Sequence, residues 1–253
     1  MKIKFLGTAN ANPRPDRGQA CIYIEANGAG HVVDCGDGAA TKLWLDPAVD
    51  WSALRTLLIS HFHPDHAAGT FCLLHLLHQR AKENPSWAIH DHDAFSLCVP
   101  DGKGAHRLTQ FLGALHVGRE SLAYNLNYEF YKPGTVFTAG ELKVVAFPTS
   151  HCEDAHSLCI EAEGKRVIYS GDLAEPAEIT EHEGGADMII CECTHFLPEQ
   201  LVPELAAMHA KHYVLTHLHD DLLDDLEAAE QLFMPLAEIG KLTFAADGLQ
   251  LAL

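Results

Sequence analysis

The chain has 253 residues, of which 47% are hydrophobic, and its formal net charge is −18 when histidine is counted as neutral. This length and composition are sufficient for a full hydrophobic core and exclude a disordered chain. We expect a single domain spanning residues 1–253. The acidic charge argues against a nucleic-acid partner, because no run of Lys or Arg offsets its repulsion of phosphate backbones.

Targeting signals are absent from the sequence pattern. Residues 1–7 lack the long apolar region and the small-residue cleavage site of a signal peptide. No stretch is long and apolar enough to span a membrane. The eight cysteines are scattered without a Cys-x-x-Cys pair, which is typical of core residues in a reducing compartment. These features predict a soluble cytoplasmic protein with no membrane partner.

Hydrophobic periodicity predicts alternating strands and helices along the first half of the chain. Strands are expected over 3–6, 20–25, 31–34 and 54–60, and helices over 39–45 and 71–82. The pair Asn27-Gly28 predicts a hairpin turn. Beyond residue 84 the pattern is mixed, with strands or edges expected over 87–93, 97–100 and 122–131 and a short helix over 108–115.

The second half of the chain has a more regular hydrophobic pattern. Strands are expected over 142–147, 157–162, 166–170, 188–191 and 213–216, with a closing strand or hairpin over 242–251. Helices are expected over 199–212 and 222–239, and Pro235 should kink or end the second of them.

The most informative stretch is His61-Phe62-His63-Pro64-Asp65-His66, between an apolar strand and a helix. Such a four-position pattern arises by chance in a chain of this composition at below roughly 1%. Asp65 alone is explained by a helix N-cap. That role does not explain His61 and His63 beside it, so the loop predicts a metal site.

Further polar residues follow apolar strand-like runs elsewhere in the chain. Because the ends of neighbouring strands meet at one edge of a sheet, these side chains should converge with the histidine loop. The candidate ligands are His61, His63, Asp65, His66, His151, Asp172 and His217. This number suits a binuclear site. Imidazole and carboxylate donors favour zinc, with manganese or iron as alternatives, over calcium or magnesium.

The other histidines are interpreted as surface or core residues, including His31, His182 and His212. His156 is a weaker competitor for the role of His151, which lies at the predicted end of a strand.

The order and spacing of these segments resemble the metallo-β-lactamase fold superfamily. The segments are Asp34-Cys35-Gly36-Asp37-Gly38, the histidine loop, His151, Ser170-Gly171-Asp172 and Leu215-Thr216-His217. The resemblance covers nearly the whole chain. It implies an α/β fold, namely an αββα four-layer sandwich with a two-metal site at one edge.

The resemblance also implies how the ligands divide. One metal would be held by His61, His63 and His151, and the other by Asp65, His66 and His217. Asp172 would bridge the two, together with a water or hydroxide. Asp34 would orient a ligand histidine, although an aspartate that ends a strand in a turn is the plain alternative.

Within the superfamily, the segments 4–8 and 169–172 look most like the ribonuclease Z and cyclic-phosphodiesterase branch. Two features depart from ribonuclease Z. His151 and Asp172 are only 21 positions apart, which leaves no room for a long substrate-gripping arm. Cys191-Glu192-Cys193-Thr194 replaces His-Glu-Ala-Thr. Both departures, and the acidic charge, weaken an interpretation as a transfer-RNA processing enzyme.

His195 offers a replacement for the missing histidine. Phosphonate-pathway cyclic-phosphodiesterases have a similar Cys-Thr-His arrangement, although their N-terminal zinc-binding cysteines are absent here. The predicted catalytic residues are therefore Asp65, Asp172 and His195, with His195 as a proton donor. The alternative is that His195 faces solvent or orients a ligand.

These observations predict a two-metal-dependent hydrolase that uses a metal-bridging hydroxide on a small or cyclic phosphodiester. The alternatives are a lactone, thioester or carboxyl-ester hydrolase, a ribonuclease-Z-like endonuclease without the arm, and a non-enzymatic metal-binding or sensing module. The expected partner is a small-molecule substrate. Residues 84–130 should carry substrate selectivity, and either cover the site or form a homodimer contact.

Overall fold

A computed structural model describes residues 1–84, 95–182 and 184–253. Two seven-stranded β-sheets pack face to face, and helices cover their outer faces. The expected αββα sandwich is therefore confirmed. The strand expected over 87–93 lies outside the described residues.

The strands are numbered in chain order. The first sheet contains, in spatial order, β14 (Gln250–Ala252), β1 (Lys2–Gly7), β2 (Cys21–Ala26), β3 (Ala29–Val33), β4 (Leu54–Leu58), β5 (Phe95–Pro100) and β6 (Leu126–Tyr131). The second contains β13 (Lys241–Phe244), β12 (His212–Leu218), β11 (Met188–Cys193), β10 (Lys165–Tyr169), β9 (His156–Ala162), β8 (Leu142–Pro148) and β7 (Val136–Ala139).

The helices lie between these strands in the chain. The described α-helices are α1 (Ala39–Leu45), α2 (Pro64–Ala67), α3 (Thr70–Glu83), α4 (Lys103–Ala114), α5 (Pro198–Ala207), α6 (Asp220–Asp224) and α7 (Leu226–Ala237). No described helix is both long enough and apolar enough to cross a membrane.

Three hydrophobic layers hold the four structural layers together. The central layer lies between the sheets and includes Phe5 and Leu58 from the first sheet and Val144 from the second. One outer layer joins the first sheet to α1, α3 and α4, and the other joins the second sheet to α5 and α7. Inner strands such as β2 and β11 bury both faces because their residues are largely apolar, as expected for sheets covered on two sides, whereas the edge strands β7 and β14 are partly exposed.

Parallel pairing gives both sheets a common functional edge. Strands β3 to β6 run parallel in the first sheet, and β10 to β13 run parallel in the second. The carboxyl ends of parallel strands meet at one edge, where loops are free to carry ligands. The histidine loop follows β4 at this edge.

Several boundaries differ from those expected. Helix α4 begins at Lys103 rather than at 108. Gly104 weakens the helical pattern of the sequence at this end, and it is required because a Cβ there would lie 2.3 Å from the ring of Phe62. Helix α5 ends at residue 207, because β12 begins at 212. The strand β7 was not expected from the sequence. It pairs with β8 across a turn at Gly140, whose φ is +59°.

The C-terminal third also differs. The helix expected over 222–239 is divided into α6 and α7 at Asp225, whose side chain caps α7 by accepting a hydrogen bond from the Ala228 amide at 3.0 Å. Helix α7 continues two residues beyond Pro235. Residues 242–251 do not form a hairpin, because β13 joins the second sheet and β14 the first.

Candidate metal centre

Both sheets contribute side chains to one site. From the first sheet, β3 leads to Asp34, and β4 leads to the histidine loop and helix α2, which carries Asp65 and His66. From the second sheet, β10 leads to Asp172, and β12 itself contains His217. His151 lies in the loop between β8 and β9. The structure therefore brings together all seven ligands predicted from the sequence.

Close packing of the loops fixes these positions. A Cβ on Gly36 would lie 2.2 Å from the carbonyl oxygen of Asp65, so only glycine allows the two loops to approach. Gly171 has a φ of +54° and places its backbone against the carbonyl of His156, where a Cβ would lie at 2.6 Å. A Cβ at either position would therefore force the neighbouring backbone to move.

The side chains form two groups of four that share Asp172. The first group is His61, His63, His151 and Asp172, and the second is Asp65, His66, Asp172 and His217. Within each group, the candidate ligand atoms all lie within 4.8 Å of one another. This division matches the one that the resemblance implied.

Asp172 directs its two oxygens to different groups. Its Oδ1 lies 3.2 Å from His66 Nε2 and 3.6 Å from His217 Nε2. Its Oδ2 lies 3.8 Å from His61 Nε2 and 3.6 Å from His151 Nε2. A carboxylate placed in this way can bridge two cations.

Several of these atoms are buried without a hydrogen-bond partner in the described part of the chain. They include His61 Nε2, His66 Nε2 and Asp172 Oδ1. Buried polar atoms normally have a hydrogen-bond partner, and a buried atom without one costs about 1–3 kcal/mol of stability. Converging nitrogen and oxygen atoms without protein partners fit two divalent cations, and the donor set suits zinc, manganese or iron.

The protonation states of three ligand histidines suit metal binding, whereas at His66 the carboxylates of Asp172 and Asp34 outweigh burial and raise the pKa well above its usual range. Burial lowers the pKa of His61, of His151 and of His217, which favours the neutral imidazole that binds metals. Burial opposes ionisation of Asp172, but His66 outweighs it and holds the pKa of Asp172 well below its usual range. The shared carboxylate is therefore ionised.

Asp34 lies behind His66 and accepts four hydrogen bonds. Its Oδ2 lies 2.7 Å from His66 Nδ1, and it accepts from the hydroxyls of Ser60 and Tyr169 at 2.7 Å each. Its Oδ1 accepts from the Ser60 amide at 2.7 Å. This geometry agrees with the orienting role predicted for Asp34, which also adopts a φ of +56°.

His195 lies at the entrance to the site, held by Glu192. Its Nδ1 is 2.7 Å from Glu192 Oε1, and its ring centroid is 4.7 Å from that of His151. The carboxylate of Glu192 is buried and also accepts hydrogen bonds from the amides of Leu173 at 3.0 Å and Thr194 at 2.9 Å. The hydrogen bond with Glu192 raises the pKa of His195.

Residues of the histidine loop line two separate cavities. One, of about 310 Å³, opens onto the candidate metal centre and is lined by His63, Asp65 and His195 among others. The other, of about 510 Å³, is lined by Phe62 and Pro64 of the same loop and by several residues of α4, including Phe111. The selectivity role expected for residues 84–130 stays a prediction.

Three contributors were missed in the sequence. Ser60 and Tyr169 bind Asp34, and Glu192 binds His195. Ser60 and Tyr169 lie where an apolar strand ends, and Glu192 is a carboxylate within the otherwise apolar strand β11; these are the signals that could have identified them. His156 lies outside both ligand groups, and its Nδ1 is 3.0 Å from the carbonyl oxygen of Asp154.

A family model described as Anti-Pycsar protein Apyc1 matches residues 1–222. The chain belongs to this family. Among curated proteins, this Apyc1-family chain is 23% identical to the ribonuclease Z of Ignicoccus hospitalis, over 92% of the chain and 93% of that protein.

Solved structures give the same fold. The metallo-β-lactamase fold protein YhfI from Bacillus subtilis is 20% identical, with a TM-score of 0.79 over 99% of this chain and 98% of that one. The short form of human tRNase Z is 19% identical, with a TM-score of 0.75 over 100% and 99% of the two chains. The metallo-β-lactamase fold and the ribonuclease Z branch expected from the sequence are confirmed. Together with the His/Asp cluster, these similarities support a metal-dependent hydrolase.

Proposed function

We propose that this chain is a two-metal phosphodiesterase acting on a small or cyclic phosphodiester, and that residues 1–253 form a single hydrolase domain. The observation that carries the proposal is the position of Asp172 between two groups of ligand atoms. A structural zinc site closes with four protein ligands, whereas seven ligands around two cations, one of them a shared carboxylate, leave positions open for water and substrate. The cavity beside His63 and Asp65 provides access to those positions.

We propose that His61, His63 and His151 hold the first cation. Asp65, His66 and His217 would hold the second, and Asp172 would be shared by both. When bound, two divalent cations, with zinc the first candidate, supply an acidified water and positive charge against the phosphoryl oxygens.

The protein's own groups prepare this site. Asp172 places one oxygen towards each ligand group, so a single carboxylate sets their spacing. Asp34 holds Nδ1 of His66, which leaves Nε2 of that ring directed at the centre. Asp65 contributes a second carboxylate, 3.5 Å from His66 Nε2.

His195 is proposed to protonate the leaving oxygen. Glu192 holds its Nδ1, so Nε2 is the atom available to a substrate in the entrance cavity. The side chain of His195 is 32% exposed, which allows contact with a bound ligand. A positioned acid of this kind contributes about 10²–10⁴-fold to the rate.

An RNA endonuclease is the second candidate. It is favoured by the similarity to ribonuclease Z, which extends over nearly the full length of both chains. The net charge of −18 and the short segment between His151 and Asp172 favour the small substrate instead.

A substrate panel tests the proposal. The chain loaded with Zn²⁺ or Mn²⁺ is assayed with bis-aryl and alkyl-aryl phosphates, cyclic nucleotides, lactones, thioesters and precursor transfer RNA. Turnover of small phosphodiesters that is lost on chelation and restored by metal supports it. Turnover of lactones or thioesters alone would contradict it, and cleavage of precursor transfer RNA alone would favour the second candidate. Full activity with metal absence verified by elemental analysis would exclude the mechanism.

A further inference from the structure

The two ligand groups differ in their exposure to solvent. We name the group Asp65, His66, Asp172 and His217 the inner position, and the group His61, His63, His151 and Asp172 the outer position. All four inner residues are buried, whereas His63 and His151 of the outer position are half-buried. Water therefore competes less for the inner ligands.

The two positions also differ in charge. The inner position has two carboxylates, Asp65 and Asp172, whereas the outer position has only the shared Asp172. Attraction between a cation and a carboxylate grows as the surroundings become less polar. Both the number of charges and the burial therefore favour a cation at the inner position.

The groups that contact the second ring nitrogen of the ligand histidines also favour the inner position. His66 of the inner position lies 2.7 Å from the carboxylate of Asp34 through its Nδ1. His61 of the outer position lies 3.1 Å from the neutral hydroxyl of Ser60. A carboxylate partner fixes the ring and raises its basicity as a ligand. A hydroxyl that itself donates to Asp34 gives weaker support.

Tyr169 extends this support across the sandwich. Asp34 follows a strand of the first sheet, whereas Tyr169 ends β10 of the second sheet. The buried tyrosine hydroxyl donates to Asp34 Oδ2 at 2.7 Å, the same oxygen that lies beside His66 Nδ1. The position of the carboxylate is therefore fixed from both sheets. Asp34 is linked to His61 of the outer position indirectly, through the hydroxyl of Ser60, whereas its contact with His66 of the inner position is direct.

We propose that the inner position binds its cation first and more tightly than the outer position, and that Tyr169 is a positioning residue for that cation, acting through Asp34 on His66. The inference rests on the proposed metal centre. It adds an order of binding and assigns a role to a residue that does not touch the metal.

Metal binding itself provides the test. The chain is stripped with a chelator, and Zn²⁺ is titrated in competition with a chromophoric chelator of known affinity. Two steps are expected, with the first dissociation constant at least tenfold lower than the second. Two ions that bind with equal affinity would overturn the proposed order.

Two variants assign the steps. Asp65→Ala removes a ligand from the inner position only, and His63→Ala removes one from the outer position only. We expect Asp65→Ala to remove the tight step and His63→Ala to remove the weak step. The opposite assignment would overturn the inference, and so would loss of the same step in both variants.

Tyr169→Phe tests the positioning role. Loss of its hydroxyl should weaken the tight step by about tenfold, the lower end of the effect of an outer partner on metal affinity, and leave the weak step within twofold. Tyr124→Phe is the matched control, because its buried hydroxyl bonds the backbone carbonyl of Leu74 at 3.2 Å, away from the site. An unchanged tight step in Tyr169→Phe, or an equal loss in both tyrosine variants, would contradict the role.

Failure of this inference can be distinguished from failure of the proposed function. A chain that binds no Zn²⁺ and hydrolyses no phosphodiester contradicts both. A chain that hydrolyses phosphodiesters and binds two ions equally, or in the reverse order, contradicts the inference alone. Near-ultraviolet circular dichroism checks that each variant retains its fold, and the Asp65 and His63 variants decide the order even if Tyr169→Phe does not fold.

Discussion

Histidines at the edge of the sandwich and histidines in its core have different partners. The core histidines, which we define as His31, His182 and His212, each have a hydroxyl partner. His31 Nδ1 lies 2.9 Å from Thr56 Oγ1, and His182 Nε2 lies 2.7 Å from Ser157 Oγ. Each of these contacts is a neutral hydrogen bond between neighbouring segments.

At the edge, the histidine nitrogens face carboxylates and one another. His66 and His61 point Nε2 towards opposite oxygens of Asp172 and have no hydrogen-bond partner for that atom in the described ranges. His63 and His151 bring ring nitrogens within 3.0 Å of each other. Composition alone cannot separate the two classes. The difference lies in whether the ring nitrogens converge on a carboxylate or meet a hydroxyl.

Among the substitutions considered, the one at Asp172 should reduce activity most. Asp172→Asn removes the charge that both ligand groups share, so kcat/KM for a phosphodiester should fall by at least about 10³-fold, the upper end of what one electrostatic stabiliser contributes. Steady-state kinetics at saturating Zn²⁺ provide the measurement. His31→Gln, which alters a core histidine, should leave kcat/KM within about threefold, as for a site that contributes no catalytic binding energy. Retention of more than a tenth of the activity in Asp172→Asn would contradict the account.

The next effect concerns His195, which lies at the entrance. His195→Gln should lower kcat by about 10²–10⁴-fold for an alkyl leaving group, which needs protonation. For a nitrophenyl leaving group, which departs readily as the anion, the loss should stay below about tenfold for the same reason. The comparison of the two substrates in one variant is the measurement. Equal losses for both would remove His195 from proton transfer.

A smaller effect concerns the core histidine His31, whose protonation makes the free energy of unfolding depend on pH. Burial lowers the pKa of His31 to about 4, whereas the unfolded chain titrates near the ordinary value. The unfolded state therefore binds the proton first as pH falls, and stability is complete above about pH 6.5 and is lost towards pH 4. Between pH 6.5 and 5 this one group accounts for about 1.5 kcal/mol of the unfolding free energy.

Denaturant unfolding across this pH range checks the prediction. His31→Gln should flatten the pH dependence by that amount, whereas His106→Gln, on the exposed surface of α4, should leave the slope unchanged. The sites that release metal at low pH are common to both variants, so their difference isolates His31. Identical slopes would show that His31 does not titrate on unfolding.

Much of the site could be predicted from the sequence because its residues follow apolar strands. The histidine loop carries its own signal, and Asp34, Asp172 and His217 each end or follow a strand-like run. The structure brings these residues together as expected, and their assignment as metal ligands stays a prediction. Strand ends are readable because burial of both sheet faces leaves continuous apolar runs.

The rest depends on which segments become neighbours. Tyr169 reaches Asp34 from the other sheet, and Glu192 reaches His195 only because the chain turns at the end of β11. The start of α4 was missed because Gly104, which makes room for the ring of Phe62, weakens the helical pattern. The contact between Tyr169 and Asp34 is tertiary, so local periodicity can mark each residue at a strand end but cannot show that the two meet.

The most direct test is to locate the metals in a crystal of the Zn²⁺-loaded chain by anomalous scattering at the zinc edge. Two ions are expected about 3.5–4 Å apart, as in other two-metal hydrolytic sites, with Asp172 contacting both. A single ion closed by four protein ligands, or two ions of which neither is bridged by Asp172, would contradict this expectation.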